Sequence, residues 1–477
     1  LVRNTTWLVA QPLALNVISL ASTGFIARQL GGEGFAEFNI GLAFAMMFSP
    51  LTNMGLRALT VRHIAAHRDQ AASHLGTVMS LRLALAMVAV VIVLVAAPLA
   101  SASPVTRQVA MVGAGTLLLN TMMGVLTDGF HALEQMGKAA RAAMWGGIVV
   151  TAASVAAAAF GGGPVEVAAS YLAGPAATAA ALWWQAGALG IRPRWHWDLT
   201  EFRRLLTEAL PFFGQGLLES VASRLDLFIL TRTIGEAGLG GYTAAGQLVS
   251  RAAIVVDGSG TALLPALSRM RATKDPAIVP TVRGTLLWLL LLAVPLAIGT
   301  AIAAPTLLRI VYGSKFLDGA PVLSIMMFTL PITAVAVVLG HGLFAAGRNR
   351  EVVTSSMTST SVTSLAIIPA TIGLGVLGAP LVRVLGRSLL VLLRRPQALR
   401  DYPGLWRRTE TWHLLAATMP VVLTLGIARL TGGSVGMVIL AGALGSAGWV
   451  ATLWYRDLLP VALLRRLRLP PRHPEGH

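Results

Sequence analysis

The sequence predicts an all-α polytopic membrane protein with about fourteen transmembrane helices: two pseudo-symmetric six-helix lobes followed by two C-terminal helices. Three observations predict it: the composition, the spacing of the apolar runs and the alternation of basic residues along the chain. Of 477 residues, 55% are hydrophobic and 12% charged, and the mean hydropathy is +0.72. A soluble globular domain carries about 25% charged residues, so this chain is built for another solvent.

A helix needs about 20 mostly apolar residues to cross the hydrocarbon core. Cutting the chain at Gly, Pro and charged clusters gives spans at 5–27, 36–60, 77–100, 106–130, 141–160, 165–189, 208–231, 239–264, 283–304, 319–343, 352–372, 376–393, 412–430 and 434–455. The first is expected to remain as a span, with no cleavable signal ahead of it. Basic residues test the count, because cytoplasmic loops are enriched in Lys and Arg. With a cytoplasmic amino terminus, 25 of the 37 Lys and Arg residues fall in one set of alternate segments, 6 in the other and 6 within spans. A single missed helix would scramble that alternation. Both termini are therefore expected in the cytoplasm of an inner-membrane protein, and the net charge of +17 reads as topology instead of nucleic-acid binding.

The expected organisation is an N-lobe at 1–190 (helices 1–6), a cytoplasmic linker at 191–207, and a C-lobe at 208–393 (helices 7–12). A cytoplasmic loop at 394–411, helices 13–14 within 412–455 and a basic tail at 456–477 follow. The long loops, "RPRWHWDLTEFRR" and "RDYPGLWRR", carry the Trp and Arg of a headgroup-level anchor. Cysteine is absent and no G-x-x-x-x-G-K-(S/T) occurs, which excludes disulfides, thiolate chemistry and a P-loop of the chain's own, and implies no cofactor. His63 and His67 in "RHIAAHRDQAASH" stand at i, i+4, but no third strong ligand pattern accompanies them, so a solvated helix face is favoured over a metal site.

The chain repeats itself. "RQLGGEGFAEF" at 28–38 aligns with "RTIGEAGLGGY" at 232–242, and the same offset of 204 puts Gln11 on Gln215 and Ser19 on Ser223. A weaker echo joins "EQMGKAAR" to "AAGRNREV". Six helices separate the copies, so they run parallel, about an axis along the membrane normal, with a binding site expected between them near the midplane.

Helix 7, "ESVASRLDLFIL" and its flanks, places Gln215, Glu219, Ser223 and Asp226 within an arc of about 80°, with Arg224 about 140° from Glu219. Thr243, Gln247, Ser250, Arg251, Asp257 and Thr261 on helix 8 fall within about 120°. Ionisable groups facing lipid are costly, so both stripes are expected to line a water-filled cavity. Rise along the helix puts Glu219 about 17 Å and Arg251 about 18 Å deep, both near the midplane, and Arg224 and Asp226 about 24 to 27 Å in. The first lobe carries a muted copy: Asn39, Asn53 and Arg57 at the repeat positions, and Gln11 and Asn16 without a carboxylate on helix 1. A cationic and acidic wall opposite a neutral hydrogen-bonding wall suits a head group of phosphates and sugar hydroxyls, with Arg forks holding a diphosphate. Arg251, Glu219, Gln247, Gln215, Arg224, Asp226, Asn53, Arg57, Gln11 and Asn16 are the expected substrate contacts, and Glu219 and Asp257 the candidate coupling acids.

"ARQLGGEGFAEFNIGLAFAMMFSPLTNMGLRALTVRHIA" and "PFFGQGLLESVASRLDLFILTRTIGEAGLGGYTAAGQLVSRAAIVVDGSGTALLPALSRM" resemble the lobe openings of the polysaccharide transporter family. These are the Wzx-type lipid-linked oligosaccharide flippases, in one superfamily with the lipid II flippase and the MATE drug exporters. The resemblance covers the pattern of most of residues 1–390 and rests on the (L/I)-G-x-x-G turn followed by a small-residue helix. It implies a MATE-like fold and no enzyme activity. It also implies alternating-access translocation of a polyprenyl-diphosphate-linked oligosaccharide, with membrane lipids, a polysaccharide polymerase and assembly proteins as partners. A lipid II-type flippase is the near alternative. A cation-coupled drug exporter fits less well, because helix 1 has no carboxylate from Thr5 to Ala27. A membrane glycan polymerase or glycosyltransferase would need catalytic acids or a large outer loop, and the outer loops are short.

Overall fold

The computed structural model describes residues 2–100, 103–405, 408–432, 434–456 and 458, with side chains from Ile18 onward except at 58, 99, 100, 211, 212, 215, 255, 257–262 and 408. Every regular element among them is helical. In chain order they are α1 (Val2–Met47), α2 (Ser49–Asn53), α3 (Leu56–Ala66), α4 (Ala71–Ala100), α5 (Pro104–Ala132), α6 (Met136–Ala159), α7 (Pro164–Ser170) and α8 (Ala173–Ala188). Then follow α9 (Leu199–Ile234), α10 (Gly240–Ala272), α11 (Ile278–Val311), α12 (Ala320–Met326), α13 (Thr329–Ala345), α14 (Asn349–Leu374), α15 (Gly378–Asp401), α16 (Arg408–Leu430) and α17 (Val435–Tyr455).

Among the described residues, 10 helical stretches are long and apolar enough to cross a membrane, which makes the chain a multi-pass membrane protein. The sequence count of fourteen is larger, and composition explains the difference. The stretches Ile18–Asn53 and Asn349–Asp401 are each counted once although a left-handed glycine, Gly31 or Gly375, interrupts them, and the charged α9 and α10 do not qualify.

Gly31 breaks α1 at φ 73, ψ −178. Gly235, its partner at the offset of 204, separates α9 from α10 at φ 79, ψ 170. A side chain scarcely tolerates that region, so the repeat conserves a backbone shape as well as letters.

The chain forms two compact units. The first comprises Leu1–Thr243 with two short returns, Val311–Phe316 and Ser364–Val376. One core joins α3, α4, α5, α6, α8 and α9 through residues such as Leu56, Leu75, Met79, Phe130, Leu182 and Leu205. Small residues let its helices approach: a Cβ at Gly41 would lie 2.6 Å from Val109 Cγ1 on α5. The return at Val311–Phe316 is seated by Tyr312 and Phe316, whose rings stand 5.8 and 5.7 Å from that of Phe35.

The second unit comprises Ala244–Ile310, Leu317–Thr363 and Leu377–His477. Small apolar clusters, Leu291 with Ala417 and Leu453 and Leu425 with Ala428 and Ala441, fix α11, α16 and α17 to one another. Trp449 Nε1 donates to the Leu291 carbonyl at 3.0 Å.

Candidate functional site

Asp198 caps α9, accepting from the Thr200 and Glu201 amides at 2.9 and 3.2 Å. Such a cap satisfies donors that a helix start leaves orphaned. On its polar face Glu219 and Ser223 are exposed, and the Gln215 side chain lies outside the described residues. Asp226, on the same stripe, is 2% exposed and accepts from the Tyr242 hydroxyl, joining α9 to the first turn of α10. An adjoining face packs on the end of α1, where Ser220 Oγ donates to the Met47 carbonyl at 3.1 Å. Arg224 folds back over that turn, its Nη1 3.4 Å from Ser220 Oγ and 3.2 Å from Ser223 Oγ. The long side chain thus brings its charge beside Ser223, although its Cα points elsewhere.

On α10, Gln247 and Arg251 are half-buried and Ser250 is exposed. The side chains of Asp257, Gln11 and Asn16 lie outside the described residues. Glu219 belongs to the first unit and Arg251 to the second.

A charged trio in the first unit includes a residue that sequence reasoning missed. Left-handed Met54 and Gly55 (φ 43 and 77) interrupt the helix after α2. Beside that break Arg82, buried on α4, donates from Nε to the Thr52 carbonyl at 3.2 Å. Its Nη1 meets Asp128 Oδ2 at 3.0 Å, and Arg57 Nε meets Asp128 Oδ1 at 3.2 Å. Arg57 Nη2 also lies 3.3 Å from His131 Nδ1. The Arg82 and Asp128 side chains are 5% and 4% exposed, whereas Arg57 is 59% exposed and presents its remaining donors outward. Asn53, at the same break, keeps a buried Oδ1 with no partner among the described residues. A lone Arg in the apolar run of α4, one helix before a lone Asp, was the available signal.

The second unit holds an apolar groove of about 400 Å³ between α11, α16 and α17. Pro295, Leu296, Ala303 and Leu307 line it with Leu425, Val438, Ile439 and Trp449, and Gly299 and Gly442 complete the lining. A Cβ at Gly299 would lie 2.9 Å from Val421 Cγ1, so the helices meet there as closely as they can. Only Thr300, Thr306 and Ser446 add hydroxyls to its lining. Such a lining has little to offer a polar solute and suits a hydrocarbon chain.

No group of three or more His, Asp or Glu among the described residues is placed to hold a metal.

Kinked and paired membrane helices, charges held inside them and a grooved apolar flank define the class: a multi-pass helical membrane protein. Solved structures agree. The chain superposes on the lipid II flippase MurJ in its inward closed conformation with a TM-score of 0.78 at 11% identity, over 94% of this chain and 99% of that one. An inward-facing multidrug resistance MATE family transporter of the MOP superfamily gives 0.63 at 15% identity, over 81% and 95%. A MOP superfamily transporter from Pyrococcus furiosus gives 0.54 at 14%, over 82% and 94%.

The protein belongs to the polysaccharide biosynthesis protein family, whose model matches residues 1–271. It is 33% identical over 69 residues to a putative O-antigen transporter of Shigella flexneri, a match spanning 14% of this chain and 16% of the relative's length.

Proposed function

We propose that the protein is a flippase that moves a polyprenyl-diphosphate-linked oligosaccharide from the cytoplasmic to the outer leaflet of the cytoplasmic membrane. The groove of α11, α16 and α17 carries the reading: an apolar groove with only three hydroxyls in its lining matches an isoprenoid tail and offers a sugar little. The family assignment and the O-antigen transporter relative support a glycan cargo.

In the proposed cycle both termini are cytoplasmic, fourteen helices span, and the repeats at 1–190 and 208–393 alternate in access. The head group contacts Arg57, Asn53, Gln11 and Asn16 of the first repeat. In the second it contacts Gln215, Glu219, Arg224, Asp226, Gln247 and Arg251, with Glu219 or Asp257 coupling an ion. No bond is made or broken, and polymerase and assembly proteins take the product outside.

Deletion should accumulate an untranslocated lipid-linked glycan, identified by mass spectrometry of extracted lipids. A peptidoglycan precursor in its place would favour the lipid II-type reading, and an unchanged glycolipid profile would sink both. Arg251→Ala should lower translocation with normal insertion, and Arg251→Lys should restore part of it, because a point charge lacks the guanidinium fork. Full activity of Arg251→Ala would remove it from the site.

A further inference from the structure

Arg394 on α15 is a buried guanidinium, 8% exposed, about 10 Å inside the end of its helix. Its Nη1 donates to the Ala336 carbonyl on α13 at 2.7 Å, its Nε to Ser355 Oγ at 3.2 Å and its Nη2 to Ser356 Oγ at 2.8 Å on α14. All three acceptors are neutral. A guanidinium has five N–H donors, so two are unmatched among the described residues and the charge has no carboxylate beside it. The acids nearest along the chain are engaged elsewhere: Arg348 takes Asp401 through Nε and Nη2, and Glu351 through Nη1 at 3.4 Å. Burying a charge without a counter-charge is costly, and a bound anion would remove that cost.

The surroundings bring further donors close. Arg383, Arg387 and Arg394 fall within about 40° on α15, and Arg387 is close enough to act on Arg394 through its charge. His341 on α13 feels the charge of Arg394 and hydrogen-bonds to the Val337 backbone. The side-chain amide oxygen of Gln397, one turn along α15, is buried with no partner among the described residues, and an amide can present its NH2 group instead. Gly340 keeps the place open, since a Cβ there would lie 2.7 Å from Arg394 Nη1.

We propose that Arg394, with Arg387, Ser356, His341 and Gln397, forms a binding site for the phosphate of a net-negative lipid headgroup, whose charge no choline or amine on the same headgroup offsets. The site lies within the second unit, and the inference does not depend on the cargo the protein moves. An oxyanion supplies the missing counter-charge and accepts charge-assisted bonds from the unmatched guanidinium donors.

The test is native mass spectrometry of the purified full chain in detergent, offered phosphatidylglycerol against phosphatidylcholine, with thermal melting alongside. The wild type should retain phosphatidylglycerol at least tenfold over phosphatidylcholine, and Arg394→Gln and Gln397→Leu should lose most of that preference. Ser356→Asp guards against simple misfolding, because it supplies a carboxylate where the lipid phosphate would sit. It should melt higher than wild type without lipid and bind phosphatidylglycerol no better than phosphatidylcholine. Displacement by a polyprenyl phosphate would make the carrier lipid the source, retention of phosphatidylglycerol against it a bilayer lipid, and displacement by inorganic phosphate alone a free anion; each supports the phosphate chemistry. Equal retention of the two phospholipids by wild type, or wild-type selectivity in Ser356→Asp, would overturn it.

Discussion

Asp128 holds two guanidinium groups with one carboxylate, so each substitution in the trio leaves a different remainder. Asp128→Ala strands buried Arg82 with a neutral carbonyl and should cost about 3 to 5 kcal/mol of stability. Arg82→Met leaves Asp128 still paired with Arg57 and should cost less. Melting of the two variants in the same detergent checks the order, and its reversal would refute the pairing. His63 gives a pH prediction outside the spans. Burial, and then the charges of His67 and Arg204, hold its imidazole below the usual histidine range, against a weaker opposing pull from Glu201. The unfolded chain therefore takes up a proton on falling through about pH 6.5 that the folded chain resists. The stability this group confers is present above that pH and lost as pH falls through the folded value. His63→Gln should flatten the decline in melting temperature between pH 7.5 and 5, and an unchanged slope would exclude it. Arg57 and Asp128 were visible in the sequence as ionisable groups in apolar runs. The bond of Asp128 to Arg82 was not, because it joins positions 46 apart through the packing of α4 on α5.

At the scale of elements, the breaks were plain and the surfaces they create were not. "LGGEG" and "IGEAG" marked where the chain turns, since only glycine takes the left-handed extended conformation of Gly31 and Gly235 without strain. Gly31→Ala and Gly235→Ala should each cost about 1 to 3 kcal/mol, although nothing lies within 4 Å of either missing Cβ. Equal stability to wild type would show that the backbone relaxes instead. The α9 stripe was likewise readable by angle, but angle alone does not show Asp226 turning inward to Tyr242 while Glu219 stays open. The groove was invisible beforehand because its walls come from α11, α16 and α17, and no period within one helix encodes a surface shared by three. Gly442→Leu would project a side chain into it toward Leu425 Cδ2, 3.9 Å from the missing Cβ. If an isoprenoid tail lies there, translocation should fall roughly tenfold, the effect of about 1.4 kcal/mol, with insertion unchanged. Wild-type transport by Gly442→Leu would move the tail elsewhere.

At the scale of the whole molecule, the sequence's basic alternation makes a claim that packing alone does not contain, because helices carry no label for the leaflet they end in. The chain has no cysteine, so single cysteines can be introduced without a background of labelling. Gly161 and Gly432 lie at left-handed turns that the alternation puts outside, and Asp69, His196 and Asp275 lie in connections that it puts inside. In intact cells a membrane-impermeant maleimide should label Gly161→Cys and Gly432→Cys, and should reach Asp69→Cys, His196→Cys and Asp275→Cys only after permeabilisation. The two outer positions test different things. Gly161 follows the fifth expected span and reports on the N-lobe, whereas Gly432 follows the thirteenth and inherits every error of the count before it. Correct labelling at Gly161 with reversed labelling at Gly432 would therefore mean an odd number of spans gained or lost between them. The charged α9 and α10, whose polar faces kept them from qualifying as apolar spans, would be the first places to look.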